Sequence, residues 1–230
     1  MVKITQEHMD KFNEFIEQNI LKYPAPVIRF IMDNFDKKIK TIEGIDIVNQ
    51  VYDELGFLSD ENNIYISFLN IVSRYHSLDG NILQVGGGYI PALSKHIATQ
   101  QLKIGRGTIT VYDSKLIIKN YKGIILIKRN LTKKDDLSPY DSIVGLFMRD
   151  DAETIIEQAF KYNKDYSIGL CGCVPKNPHL QKHILSTQEW YEYIISKAER
   201  MKRKKDELYI DCLNSQYGET SIITKVKRHL

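Results

Sequence analysis

The 230 residues carry 43% hydrophobic and 27% charged side chains and a formal net charge of +3. That balance supports one full hydrophobic core and excludes disordered and fibrous classes, and so small a charge gives no argument for a nucleic-acid partner. No apolar run approaches the roughly 20 residues needed to cross a bilayer, and residues 1–8 lack the basic start and apolar block of a signal peptide, so the expected location is the cytoplasm with no membrane contact.

Residues 1–78 read as a helical N-terminal cap. Met9, Phe12, Phe15, Ile16 and Ile20 recur at helical spacing and predict one apolar stripe. Pro24 and Pro26 interrupt it, and Val27, Ile28, Phe30 and Ile31 open a second helix. A third spans 45–55 and stops at Gly56; Ser59 is placed to cap a fourth, with Tyr65, Phe68, Leu69, Val72 and Tyr75 on one face.

From residue 79 the pattern changes. Ile82, Leu83 and Val85 form a short apolar strand that ends on three consecutive glycines, Gly86, Gly87 and Gly88. A helix is predicted at once, over 89–100. Strand, glycine turn and helix together bring bare backbone N–H groups up to a nucleoside or phosphate ligand. A second strand over 108–112 ends in Asp113, a short helix is expected over 115–121, and a third strand follows over 124–128. After a polar loop containing Asn130, a fourth strand (142–146), an amphipathic helix (152–162) and a fifth strand (166–170) complete the alternation, which implies a parallel sheet. Thr187 starts a long helix carrying Trp190, Tyr191 and Ile194. Two strand-like runs, 207–213 and 221–227, come next with only a polar, glycine-containing link, and should pair as an antiparallel hairpin.

This order resembles the class I S-adenosylmethionine-dependent methyltransferase family over residues 81–230. The resemblance implies a Rossmann-like, doubly wound α/β sheet of seven strands, mostly parallel with a C-terminal antiparallel hairpin, and S-adenosylmethionine as cofactor. Its glycine motif falls on Gln84-Val85-Gly86-Gly87-Gly88-Tyr89-Ile90, with Gln84 where an acid is usual and Ile90 in place of the third glycine. Asp113 stands where the family's ribose-binding carboxylate does, and Asn130 where a polar residue contacts adenine. Leu146, with Phe147 and Met148, would flank the methionine part of the ligand. The implied cofactor-binding set is thus Gln84, Gly86, Gly87, Gly88, Asp113, Asn130 and Leu146.

Methyl transfer needs positioning more than acid–base help, and alignment alone supplies up to about 7–11 kcal/mol, so no catalytic residue is assigned. The expected acceptor is a small molecule. Two rival readings remain: a nicotinamide-dinucleotide, NAD(P)-binding domain, which Gly86, Gly88 and Asp113 would also suit, and a non-catalytic binding module, which Gln84 and Ile90 favour. Cys171-Gly172-Cys173 and Cys212 do not make a disulfide framework and are expected to remain thiols. No metal site is expected, His179 and His183 included.

Overall fold

The computed structural model describes residues 4–36, 42–59, 61–104, 107–121, 123–215 and 218–228. Within them the chain runs α1 (Gln6–Asn19), α2 (Ala25–Asn34), α3 (Ile42–Glu54), α4 (Ile64–Val72), β1 (Ile82–Val85), α5 (Ala92–Ile104), β2 (Ile109–Tyr112), β3 (Ile124–Ile127), β4 (Ser142–Met148), α6 (Asp151–Tyr162), β5 (Asp165–Leu170), α7 (Pro178–Gln181), α8 (Thr187–Met201), β6 (Asp206–Ser215) and β7 (Gly218–Lys227). The seven strands form one sheet in the order β3-β2-β1-β4-β5-β7-β6. Neighbours from β3 to β5 are parallel, and β7 runs against both β5 and β6. This is the mostly parallel sheet with a closing hairpin that the resemblance implies.

Strand side chains alternate between two faces, so adjacent residues enter different cores. Leu83 and Ile143 pack with Ile155, Phe160, Trp190 and Ile194 under α6 and α8. Their neighbours Ile82 and Val144 pack the other way, with Phe68, Leu69, Leu93 and Ile97 of α4 and α5. Burial on both faces explains why β1 and β2 carry apolar residues on both sides, with only Gln84 and Thr110 polar and both buried. A third cluster joins α2 and α3 through Ile31, Val48 and Val51, and takes in Ile90 and Ile118 from beyond β1 and β2.

Local chemistry set several boundaries away from the sequence expectation. The fourth helix is capped by Asn63, not Ser59: the Asn63 side chain accepts from the amides of Tyr65 (3.0 Å) and Ile66 (3.3 Å), a stronger claim on the helix start than a serine four residues upstream. No helix forms over 115–121. Asp113 takes the Lys115 amide at 2.7 Å, and the Ile117 amide donates to the Tyr89 carbonyl, so the amides a helix would use are spent elsewhere. The helix expected from residue 89 begins at Ala92, because the Tyr89 and Ile90 amides are engaged by a side chain and Pro91 has none. The stripe on α1 is only partly covered: Phe12 stacks on Phe35 at 4.2 Å, whereas Met9 and Ile20 stay exposed.

Candidate functional site

Strand order reverses between β1 and β4, whose carboxyl ends flank a crevice where α/β sheets bind ligands. The chain leaves β1 through Gly86 (φ 74°) and Gly88 (φ 69°), both in the left-handed region that favours glycine. Space is closed to a side chain as well. A Cβ on Gly86 would collide with Met148, and one on Gly88 with Gln50.

The loop's amides are largely committed within the protein. Gly86 N–H donates to the Tyr112 carbonyl (3.0 Å) and Gly88 N–H to Asp113 Oδ2 (2.7 Å). Tyr89 and Ile90 N–H both donate to Gln50 Oε1, at 3.0 and 2.9 Å. Gln50 comes from α3, and its Nε2 donates in turn to Asp46 Oδ2 at 2.9 Å, one turn earlier. Polar contacts fix α3 in this place: Asp53 Oδ1 accepts from Asn63 Nδ2 and meets His96 Nε2, each at 2.7 Å, and Glu54 pairs with Lys95 of α5.

Beside the loop lies a cavity of about 400 Å³. Of the residues singled out from sequence, Gly86, Gly88, Asp113, Asn130 and Leu146 line it. Gln84 and Gly87 do not. They face a small neighbouring recess of about 10 Å³, room for about one water. Gln84 is buried, with Oε1 accepting from Ser94 Oγ and Nε2 donating to the Gly86 carbonyl at 3.4 Å, so its amide braces the loop from beneath. Cavity and recess share Asp46, Gly86, Leu146 and Phe147 as walls.

Phe147 is unusual. Its φ of 59° is left-handed in a non-glycine residue, and the β4–β5 register slips between Gly145 and Met148. Such a conformation costs an L-residue about 1–2 kcal/mol and is retained at sites where the surroundings over-determine it. Here the slip turns the carboxyl end of β4 so that Leu146, Phe147 and Met148 all reach the cavity wall.

The far wall is charged. Asp151, in the first turn of α6, has its carboxyl pushed up by burial first, then by the Asp113 and Asp150 carboxylates. Asp150 accepts from the Lys176 amide at 2.9 Å, tying the segment after β5 to the β4–α6 turn. Arg149 and the Lys115 ammonium, which lies 5.7 Å from the centroid of the Tyr89 ring, complete the rim. Cys171 also lines the cavity, and here the thiol expectation fails: the turn at Gly172 brings the Cα atoms of Cys171 and Cys173 to 5.3 Å and the two are joined as a disulfide, a separation within the usual range. Cys212 is free and exposed. Among the described residues no group of three or more His, Cys, Asp or Glu could hold a metal ion, and no helix is long and apolar enough to cross a membrane.

Sequence reasoning missed Asp46, Gln50, Tyr65 and Asp151 as site residues. A signal for the first two was present: Asp46, Gln50 and Asp53 recur at i, i+4 and i+7 along α3, a polar stripe beside the buried Ile47, Val48, Val51 and Tyr52. Tyr65 gave none, since its place on an apolar face marks it as core. Its buried hydroxyl nonetheless has no hydrogen-bond partner among the described residues, and Tyr65 lines the recess.

No protein-family model and no curated protein matches the chain. Solved structures similar to it include an O-methyltransferase from Bacillus cereus in complex with SAH (13% identity, TM-score 0.47, covering 88% of this chain and 97% of that one). A SAM-dependent methyltransferase from Aquifex aeolicus (11%, 0.46, 74% and 95%) and a methyltransferase from Pyrococcus furiosus (13%, 0.46, 70% and 82%) are also similar. These likenesses assign no residue and no ligand to this chain.

Proposed function

We propose that the chain binds S-adenosylmethionine in the 400 Å³ cavity and transfers its methyl group to a small-molecule acceptor. The observation that carries this reading is the commitment of the glycine loop's amides. A dinucleotide needs the N–H groups of the strand–helix turn for its pyrophosphate. In this chain Gly86, Gly88, Tyr89 and Ile90 give theirs to Tyr112, Asp113 and Gln50. A nucleoside without phosphates asks nothing of those donors. It needs close approach, a ribose acceptor and an apolar wall.

The residues present fit those needs. A cavity of this size lies in the range of small-molecule sites. Each oxygen of Asp113 accepts one backbone amide and keeps lone-pair capacity for a ribose hydroxyl. Val85, Leu146 and Met148 supply apolar surface, and the Asn130 amide can face the adenine edge. When bound, the sulfonium supplies an activated methyl group whose carbon–sulfur bond breaks as the acceptor's lone pair attacks. The protein's part is alignment and exclusion of water, and a proton released by the acceptor could pass to Asp151, whose carboxyl is pushed up by burial and stands on the far wall. An acceptor small enough for the rim between Arg149, Asp151 and Lys176 is favoured, because Asp46, Asp113, Asp150 and Asp151 intersperse the basic residues of the wall and leave no continuous basic groove.

Calorimetric titration with S-adenosylmethionine, S-adenosylhomocysteine, NAD and NADP tests the reading. Micromolar binding of the two adenosyl ligands, lowered at least tenfold in Asp113→Ala, is the expected result. Binding of a dinucleotide alone, or of none of the four, overturns it.

A further inference from the structure

We infer that Cys171 and Cys173 form a redox-modifiable site on the wall of the ligand cavity: a dithiol reductant opens the bond between them in the folded protein, and the oxidised pair holds the cavity in its binding shape. The redox step stands on the cysteine pair alone, whereas its effect on binding rests on the S-adenosylmethionine reading.

Three observations carry it. First, Cys171 follows the carboxyl end of β5, is buried, and lines the cavity with Met148, Asp150 and Lys176. Its partner Cys173 is only half-buried, so the pair has a more open side for a small thiol to approach. Second, Gly172 alone separates the two cysteines. So short a ring removes little conformational freedom from the unfolded chain, and the bond acts on the local turn more than on the stability of the whole sheet. Third, this stretch is anchored at discrete points on either side of Cys173. Cys171 N–H donates to the Met148 carbonyl at 2.7 Å, Thr187 Oγ1 to the Gly172 carbonyl at 3.1 Å, and Lys176 N–H to Asp150 Oδ1 at 2.9 Å. These bonds join the stretch to β4, to the start of α8 and to the turn before α6. Opening the disulfide leaves them in place and frees 173–175 between Gly172 and Lys176.

The exchange balances with the dithiol as its one co-reactant. A thiolate of the reductant attacks Cys173 Sγ, the disulfide bond breaks, and Cys171 leaves as a thiolate; the reductant's second sulfur then displaces Cys173 and closes its own disulfide. Two electrons pass to the protein, and the two cysteine thiolates take the two protons that the reductant's thiols give up. While the pair is oxidised, the wall from Cys171 to Lys176 is ordered before a ligand arrives. Once it is reduced, binding has to order 173–175 as well, which lowers affinity.

The test uses the full chain with Cys212→Ser, which takes the free, exposed thiol out of the count. Folded protein is treated with dithiothreitol, or with glutathione disulfide after the dithiothreitol is removed, and its thiols are counted by alkylation and mass measurement. The pair should show two thiols after reduction and none after oxidation, reversibly, without denaturant and without a retained glutathione. Calorimetry with S-adenosylhomocysteine should show binding about threefold weaker or more in the reduced form, restored on reoxidation. Adding Cys173→Ser should give the affinity of the reduced form under both conditions; the comparison of the two states of one protein decides the matter even if that variant fails to fold. A pair that opens only in denaturant, a pair that cannot be reoxidised, or equal affinity in the two states overturns the inference while leaving the S-adenosylmethionine reading intact. Absence of S-adenosylhomocysteine binding in both states overturns that reading and the coupling with it, and the thiol count then decides the redox site alone.

Discussion

Gln50 holds the backbone amide of Ile90 at 2.9 Å, so a side chain from α3 fills the place that a ligand's oxygen would take in a phosphate-binding turn. The same oxygen accepts from Tyr89 at 3.0 Å. Replacing Gln50 by Ala leaves both donors unpaired in a part-buried loop, and should cost about 2 kcal/mol of stability, read as a lower urea midpoint at unchanged slope. Gln50→Glu keeps the acceptor for both amides but loses the donor to Asp46 and sets two carboxylates face to face, so it should recover only part of that stability, and more of it as pH falls. An Ala variant as stable as wild type would show that water replaces the side chain without loss.

Phe147 separates conformational cost from packing. Its φ of 59° suits glycine, so of two variants that both remove the ring, Phe147→Gly should be more stable than Phe147→Ala by about 1 kcal/mol. Thermal or urea unfolding of the pair measures the difference. The reverse order would mean that the bulge relaxes once the ring is gone.

Asp151 gives the site a pH signature. Burial, then Asp113 and Asp150, raise its carboxyl in the folded protein, so the folded chain holds that proton more tightly than the unfolded one. The associated stability is complete below the ordinary carboxylate range and is lost as pH rises through the raised value. Asp151→Asn removes this dependence. The variant should therefore match wild type in acid and exceed it near neutral pH, measured as melting temperature across the range. A gap that is constant with pH would exclude titration of Asp151 as the cause.

Lys225 is an interior charge whose loss should be expensive. Its side chain is fully buried, Nζ donates to the Lys164 carbonyl at 2.8 Å and lies 3.5 Å from Asp206 Oδ1, itself 2% exposed. Lys225→Met would strand the Asp206 carboxylate and should cost about 3–5 kcal/mol. Adding Asp206→Leu should recover part of the loss. A single variant with wild-type stability in urea would mean that Asp206 finds water or another donor.

The strands were legible because burial on both sides leaves a strong mark: Ile82–Val85 and Ile109–Tyr112 are apolar apart from the buried Gln84 and Thr110, and each is followed by glycine or aspartate. The hairpin was legible because no helix-forming stretch separates β6 from β7. What escaped was decided by contacts distant in sequence. The 115–121 segment has helical composition, yet Asp113 and the Tyr89 carbonyl take its first amides. Tyr65 reads as core from its place on the apolar face of α4, and nothing in the sequence marks it as a wall of the recess. The pairing of Cys171 with Cys173 depends on how the chain turns at Gly172, which the spacing of the two cysteines does not record.

β7 is made after the six other strands of this sheet, yet it sits inside the sheet, bonded to β5 on one side and β6 on the other. Until β7 is made, the edges of β5 and β6 that it pairs stay unsatisfied, a state prone to pairing with other chains. Loss of the β7 segment alone would split β6 from the sheet. Closure of the sheet thus waits on the strand that stands second from its edge in space and last of the seven in sequence.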